Sequence, residues 1–126
     1  SDPGYKIVRA VAAAGYDVVS VPGAAAMLAA LTSSGLPTDT FLFAGFLPAK
    51  QAARRRRLTE LKDIPATLVF YESPSRIAAS CTDMAETLGR ERTAVVAREL
   101  TKRFEEFLRG TLESLADDVA TRTLKG

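Results

Sequence analysis

The sequence predicts an α/β fold, and two observations favour it. Short runs of β-branched and aromatic residues alternate with longer helix-favouring stretches, and Gly or Pro separates most neighbouring runs. The 126 residues are 47% hydrophobic and 25% charged, which is the usage of one globular domain with a packed core.

The first third of the chain predicts a helix, a strand and a second helix. Asp2-Pro3 suits the start of a helix that runs to about residue 14, where Gly15 closes it. The β-branched residues 17–21 predict a short strand that ends at Pro22-Gly23. The small residues 24–31 then predict another helix.

The middle of the chain predicts a strand, a helix and the clearest strand of the sequence. Residues 41–46 predict the first strand, and residues 50–62 predict a helix that carries the run Arg54-Arg55-Arg56-Arg57. Residues 67–71 are a nearly continuous apolar run, typical of a strand covered on both faces. That strand ends at Glu72, a position where chemistry often sits in such sheets.

The last third predicts a helix, a strand pair and a final helix. Ser73-Pro74 suits the start of a helix that reaches about residue 88. Residues 93–97 predict a strand with residues 104–109 as its neighbour in a hairpin-like arrangement. Thr111 starts a helix that runs to about residue 121.

The composition excludes several classes of protein. With one cysteine and no histidine, an internal disulfide, the usual zinc sites and a Ser/His or Cys/His pair are excluded. The net charge of +2 is too mild to indicate a nucleic-acid binder by itself. No apolar run approaches the roughly 20 residues that span a bilayer. We therefore expect a soluble, cytoplasmic protein without a membrane partner.

Five charged residues follow the ends of two apolar strands or begin the next helix, where an α/β sheet can bring them together at a cleft. They are Glu72, Arg76, Arg98, Glu99 and Lys102. Structural pairing between arginine and glutamate is the alternative interpretation.

Three other features have competing interpretations. The basic run of residues 54–57 can neutralise phosphates, although its arginines radiate around the helix, and a solvated surface helix explains it equally well. Cys81 lies in a helical stretch and fits a buried small hydrophobe better than a nucleophile. Phe104 and Phe107 fit core or interface positions better than base stacking.

An ordered series of six motifs covers essentially the whole chain. They are Ser1-Asp2-Pro3-Gly4-Tyr5, Val21-Pro22-Gly23, Gly35-Leu36-Pro37-Thr38-Asp39, Gly45-Phe46-Leu47-Pro48-Ala49-Lys50, Phe70-Tyr71-Glu72-Ser73-Pro74 and Ala97-Arg98-Glu99-Leu100-Thr101-Lys102. Together they resemble the ribosomal RNA small-subunit methyltransferase I family of the tetrapyrrole methylase superfamily. The resemblance implies a three-layer sandwich with a mixed, mostly central sheet. It also implies that residues 1–21 end an amino-terminal domain and linker, and that residues 22–126 form the carboxy-terminal methylase domain, with a final strand to follow.

In that family S-adenosylmethionine binds in the cleft between two domains. The resemblance implies that the cofactor-binding residues are Asp2, Tyr5, Ala25, Ala26 and Tyr71. The implied reaction of the full-length parent, a homodimer, is methyl transfer to the ribose 2′-hydroxyl of a cytidine in small-subunit ribosomal RNA. Because the sulfonium is already an activated donor, the reaction needs alignment and help in removing the hydroxyl proton, and no metal.

The residues that follow the strands take their roles from this resemblance. The expected catalytic residues are Glu72, Glu99 and Arg98, with a glutamate as base or orienter. The expected RNA-binding residues are Arg54, Arg55, Arg56, Arg57, Arg76 and Lys102. Two alternatives stay open: a tetrapyrrole methyltransferase acting on a porphyrin or corrin precursor, and a non-catalytic dimerisation domain when the chain is isolated.

Overall fold

The computed structural model describes residues 3–126, so the expected helix cap at Asp2 lies outside the described residues. The helices are α1 Tyr5–Ala13, α2 Ala26–Ser34, α3 Gln51–Leu61, α4 Ile77–Leu88 and α5 Leu112–Ala120. The strands are β1 Phe41–Phe46, β2 Thr67–Tyr71, β3 Thr93–Arg98 and β4 Glu106–Thr111. The predicted α/β alternation is confirmed. A search of the described helices finds none with the length and apolar character needed to span a bilayer.

The strand predicted at residues 17–21 is wrong. The segment between α1 and α2 has no regular structure, and Val19 and Val21 are 83% and 87% exposed. A strand needs hydrogen-bonded neighbours for its backbone groups, and no strand among residues 3–126 pairs with this segment. β-branched side chains alone do not hold an extended conformation without that pairing.

The four strands form two separate pairs within the described residues. β1 and β2 are parallel, with Phe41 opposite Thr67 and Phe46 opposite Tyr71. The register shifts between Phe43 and Gly45, where Gly45 takes a φ of 66°, a conformation that suits glycine. β3 and β4 form an antiparallel pair. The sandwich with one central sheet therefore stays a prediction.

The main core lies between the β3–β4 pair and the helices α4 and α5. Its buried members include Cys81 from α4, Leu108 from β4 and Leu115 from α5, and Val96 packs against them. The burial expected for Cys81 is confirmed. Each buried leucine contributes on the order of 2 kcal/mol relative to an exposed one, so this cluster fixes α4 and α5 on one side of β3.

Two arginines link the β1–β2 pair, α2 and the β3–β4 pair. Arg109 on β4 donates hydrogen bonds to the carbonyls of Ser33 and Ser34 at the end of α2, at 2.7 and 3.3 Å. Arg92 donates from Nη2 to the carbonyl of Ala66 at 3.3 Å. Because Arg92 directly precedes β3 and Ala66 directly precedes β2, the amino-terminal ends of these two strands lie close together.

Candidate active site

A cavity of about 930 Å³ lies between β2 and β3. Leu31 of α2 and Leu115 of α5 contribute to its apolar walls. One group of its lining residues comes from the carboxyl-terminal ends of β2 and β3 and is polar: Tyr71, Glu72, Arg98, Glu99 and Lys102. The structure thus brings together four of the five charged residues that the sequence singled out.

Tyr71 connects the end of β2 to the start of α2. Its ring meets Phe43 and Phe46 edge-on, with ring centroids 4.9 and 5.8 Å apart. Its hydroxyl accepts a hydrogen bond of 3.2 Å from the backbone N–H of Met27, in the first turn of α2. Ala26 begins that helix and lines the cavity with Tyr71. Two of the expected cofactor-contacting residues therefore lie on the same wall.

Two hydrogen-bond donors and one arginine hold the Glu72 carboxylate in place. One oxygen accepts from the Ser73 backbone N–H at 2.8 Å and lies 3.3 Å from Nε of Arg76. The other accepts from the Ser80 hydroxyl at 2.6 Å. The Glu72 side chain is only 6% exposed. Its position is therefore fixed by the turn after β2 and by α4.

Arg98 takes part in a charged network that holds the end of the chain. Its Nε lies 2.9 Å from Glu106, and its Nη1 donates to the carbonyl of Lys125 at 3.1 Å. Arg122 bridges Glu106 and Asp118, at 3.2 and 2.8 Å. The hydrogen bond from Arg98, supported by Arg122, lowers the pKa of Glu106 below its usual value. For Arg98, the structure therefore favours the alternative interpretation, which is structural pairing with a glutamate.

The loop after β3 places Glu99 and Lys102 beside the cavity. Glu99 and Thr101 have φ values of 51° and 64°, in the left-handed region. Oε2 of Glu99 lies 3.1 Å from Nζ of Lys102, and the Glu99 side chain is 18% exposed. The Thr101 backbone N–H donates to Glu105 at 2.9 Å, which helps to hold this conformation. Among the polar lining residues, Glu99 has fewer donors around its carboxylate than Glu72.

The basic run on α3 divides into buried and exposed residues. Arg54 is buried, and its Nε lies 2.6 Å from Oδ2 of the equally buried Asp83 on α4. Nε of Arg55 lies 2.9 Å from Oδ1 of the same Asp83, and its Nη2 lies 2.8 Å from Glu86. These two arginines join α3 to α4, and Arg54 presents no exposed guanidinium to an RNA. For Arg54, the structure therefore corrects the expectation of RNA binding.

The remaining expected site residues that the structure describes do not line the cavity. Arg56 is exposed on α3, and Arg57 pairs with Glu60 one helical turn later, at 3.1 Å. Arg76 contacts Glu72 but does not line the cavity. Tyr5 lies on α1 and is 59% exposed. Ala25 is the extended residue before α2, and Asp2 lies outside the described residues.

Sequence reasoning missed the residues that act across long separations. Asp83 was one acidic residue among several in a helical stretch, and its two arginine partners precede it by 29 and 28 positions.

Phe104 is 70% exposed, so it does not lie in the core of the described residues. The guanidinium carbon of Arg103 lies 5.4 Å from the centroid of its ring. The sequence signal for an exposed position of Phe104 was that it directly follows two basic residues, Lys102 and Arg103.

Comparisons with known proteins agree on one family. A family model described as Tetrapyrrole (Corrin/Porphyrin) Methylases matches residues 1–116. The ribosomal RNA small subunit methyltransferase I of Mesorhizobium japonicum is 58% identical over 120 residues, which are 95% of this chain and 41% of the relative. Those of Pseudomonas aeruginosa and Halalkalibacterium halodurans are 51% and 48% identical over 96% and 100% of this chain, and the chain covers 43% of each. The chain thus spans less than half the length of these curated relatives.

Proposed function

The chain belongs to the tetrapyrrole (corrin/porphyrin) methylase family, and from that membership we propose that its full-length parent methylates small-subunit ribosomal RNA. The identity of 46–58% to proteins named ribosomal RNA small subunit methyltransferase I carries this proposal. The finer proposal is transfer to the 2′-hydroxyl of a cytidine ribose by a cytoplasmic homodimer. In it, residues 22–126 form the carboxy-terminal domain, arranged as a three-layer sandwich, and supply one wall of the active site.

The wall formed by α2 and β2 suits S-adenosylmethionine, which supplies an activated methyl group when bound. The small side chains of Ala25 and Ala26 leave the start of α2 open. The Tyr71 ring is held between two phenylalanines and the first turn of α2, so it offers a fixed apolar surface to an adenosine. Asp2 and Tyr5 belong to the same proposed site through the resemblance alone.

The two glutamates of the polar end have different roles in this proposal: Glu72 positions other groups, and Glu99 accepts a proton. Glu72 already accepts from two donors and contacts Arg76, which suits a positioning residue. Glu99 pairs only with Lys102 among its described ionic partners and is better placed to take the proton of a ribose hydroxyl. Arg98 directly precedes Glu99 and contributes positive charge beside it, while its own side chain donates to the Lys125 carbonyl.

Ribosomal RNA would contact the chain through cations that remain exposed. Arg56 is exposed and Arg57 is partly exposed on α3, and Lys102 lines the cavity. The neighbouring Arg103 and the exposed Phe104 combine a cation with an aromatic face, which suits an unpaired nucleotide. Such contacts add affinity that weakens with salt.

Methyl incorporation from labelled cofactor tests the proposal in the full-length parent. We expect label in the small ribosomal subunit and none in a porphyrin precursor; label in the precursor alone would establish the tetrapyrrole alternative, which the family description favours. Glu99→Gln should lower kcat about 10²- to 10⁴-fold, as loss of a general base does. The matched control Glu91→Gln changes an exposed glutamate before β3 and should leave kcat unchanged. An unchanged kcat in Glu99→Gln would remove its role as base.

A further inference from the structure

The loop between β3 and β4 carries an aromatic ring that residues 3–126 leave largely uncovered. Phe104 is 70% exposed, more than Phe41 or Phe46, whereas Phe107 on β4 is partly buried. Single exposed apolar side chains are common on protein surfaces, so the groups around this ring decide what it can bind. Those groups are a hydrogen-bonded turn, a set of cations and the polar end of the cavity.

A turn and a side-chain contact hold the backbone of the ring in place. The Glu105 N–H donates to the Lys102 carbonyl at 3.2 Å, which closes a turn with Arg103 and Phe104 at its two central positions. The Glu105 carboxylate also accepts from the Thr101 N–H at 2.9 Å. A ring presented from an ordered turn loses less conformational entropy when a ligand binds it.

The cation beside the ring has no acidic partner in the described part of the chain. The guanidinium carbon of Arg103 lies 5.4 Å from the centroid of the Phe104 ring, which is a cation–π distance. Two neighbouring carboxylates pair with other cations: Glu99 with Lys102, and Glu106 with two other arginines. The exposed Arg103 therefore offers its charge to an anion from outside, such as a phosphate.

The ring stands at the rim of the cavity. Lys102 lines the cavity beside Glu99, whereas Arg103 and Phe104 do not line it. Two residues of extended chain span at most about 7 Å, so the Phe104 backbone lies within that distance of Lys102. A chain-like ligand with one unit at Glu99 can therefore place its next unit on the ring.

We propose that Phe104 stacks on the base of an unpaired nucleotide next to the one whose ribose reaches Glu99, so that this contact selects single-stranded RNA. The inference rests on the proposed function, which supplies RNA as the substrate. Bases within a duplex are stacked on their neighbours, so only an unpaired base is free to stack on a protein ring. The Arg103 guanidinium binds the adjoining phosphate. Because every base has a face that can stack, the loop recognises unpaired RNA without reading its sequence.

Fluorescence tests the contact directly, because the chain has no tryptophan of its own. In Phe104→Trp, an unpaired RNA of about eight nucleotides should quench the new fluorophore. The same RNA in a duplex with its complement, and inorganic polyphosphate, should leave the fluorescence nearly unchanged. The matched control is Tyr16→Trp, since Tyr16 is 72% exposed in the segment after α1, and its fluorescence should respond to none of the three.

Kinetics in the full-length parent test the consequence for the reaction. Phe104→Ala should raise KM for the small ribosomal subunit about 5- to 150-fold, the range that stacking on an aromatic ring covers, and leave kcat nearly unchanged. Phe104→Tyr keeps the ring and should keep KM, whereas Phe104→Leu keeps only apolar bulk and should resemble Phe104→Ala. Arg103→Ala should instead reduce the slope of log affinity against log salt by about 0.7.

Equal quenching by single-stranded RNA, duplex and polyphosphate would overturn the inference, because charge alone would then explain the binding. An unchanged KM in Phe104→Ala would overturn it as well. So would a fluorescence change in Phe104→Trp that follows protein concentration without RNA, since a second copy of the chain would then cover the ring. A parent that transfers no label to the small subunit would refute the proposed function, and the quenching experiment would still decide whether the ring stacks on unpaired RNA.

Discussion

The buried carboxylate of Asp83 should be the most sensitive single position on the contact between α3 and α4. In Asp83→Asn the charge disappears, while Arg54 remains buried with its side chain 6% exposed. Breaking a buried ion pair from one side costs about 3–5 kcal/mol. Arg54 keeps a hydrogen bond of 2.9 Å to the Ala49 carbonyl, so we expect about 3 kcal/mol, the lower end of this range. For 126 residues this lowers Tm by about 11 °C.

Urea unfolding followed by circular dichroism measures this loss, with Glu86→Gln as the matched control. Glu86 contacts Arg55 at the exposed edge of the same cluster and should contribute less than about 1 kcal/mol. The double variant Arg54→Met with Asp83→Leu should lose less than Asp83→Asn, because no buried charge is left unpaired. Equal unfolding free energies for Asp83→Asn and the unchanged chain would refute the reasoning.

The same pair gives a pH dependence with a defined sign. Burial by itself raises the pKa of Asp83, but hydrogen bonds and charges from Arg54 and Arg55 outweigh it and lower the pKa below 3.8. A carboxyl group with a lowered folded pKa contributes stability above its unfolded pKa, and that stability is lost as the pH falls through the folded value. The gap between the unchanged chain and Asp83→Asn should therefore be full near neutral pH and shrink below pH 3.8.

Two further predictions concern Cys81 and Gly110. Burial, with a smaller effect of the Glu72 charge, raises the pKa of the Cys81 thiol from 9.0 to about 11, so its reaction with a disulfide reagent at pH 8 should be about 100-fold slower in the folded chain than in urea; equal rates would contradict its burial. In Gly110→Ala the new Cβ would overlap Oγ of Ser114, which forms the capping box of α5 with Thr111. We expect a loss of about 1–2 kcal/mol in urea unfolding, and little further loss when Ser114→Ala is added, because the cap is already broken; additive losses would argue against this coupling.

The sequence predicted most accurately those elements whose signals are local. The bounds of β1 and β2 agree with the prediction, because each is an apolar run between clear turn residues. α4 begins at Ile77 and not at Ser73, since the Ser73 hydroxyl contacts the Arg76 side chain and does not cap the helix. In α5 the capping partner of Thr111 is Ser114, at the third helical position.

What local patterns did not predict depends on contacts between distant segments. The basic run suggested phosphate binding, but Arg54 and Arg55 pair with Asp83 on α4, the helix that follows β2. The sequence motif gives no sign of this partner. The convergence of Glu72 and Glu99 on one cavity followed from the general rule for strand ends. Which carboxylate is held by several donors depends on side-chain geometry that residue spacing leaves open.

The left-handed backbone at Glu99 and Thr101 separates two demands on the same loop. A residue with a β-carbon pays roughly 1–2 kcal/mol to adopt this conformation, whereas glycine adopts it freely. Glycine at position 99 would therefore relax the backbone while deleting the carboxylate beside Lys102. The loop accepts local strain in order to keep a side chain at the edge of the cavity. Engineering for thermal stability alone would therefore favour glycine at position 99 and would remove the Glu99 carboxylate.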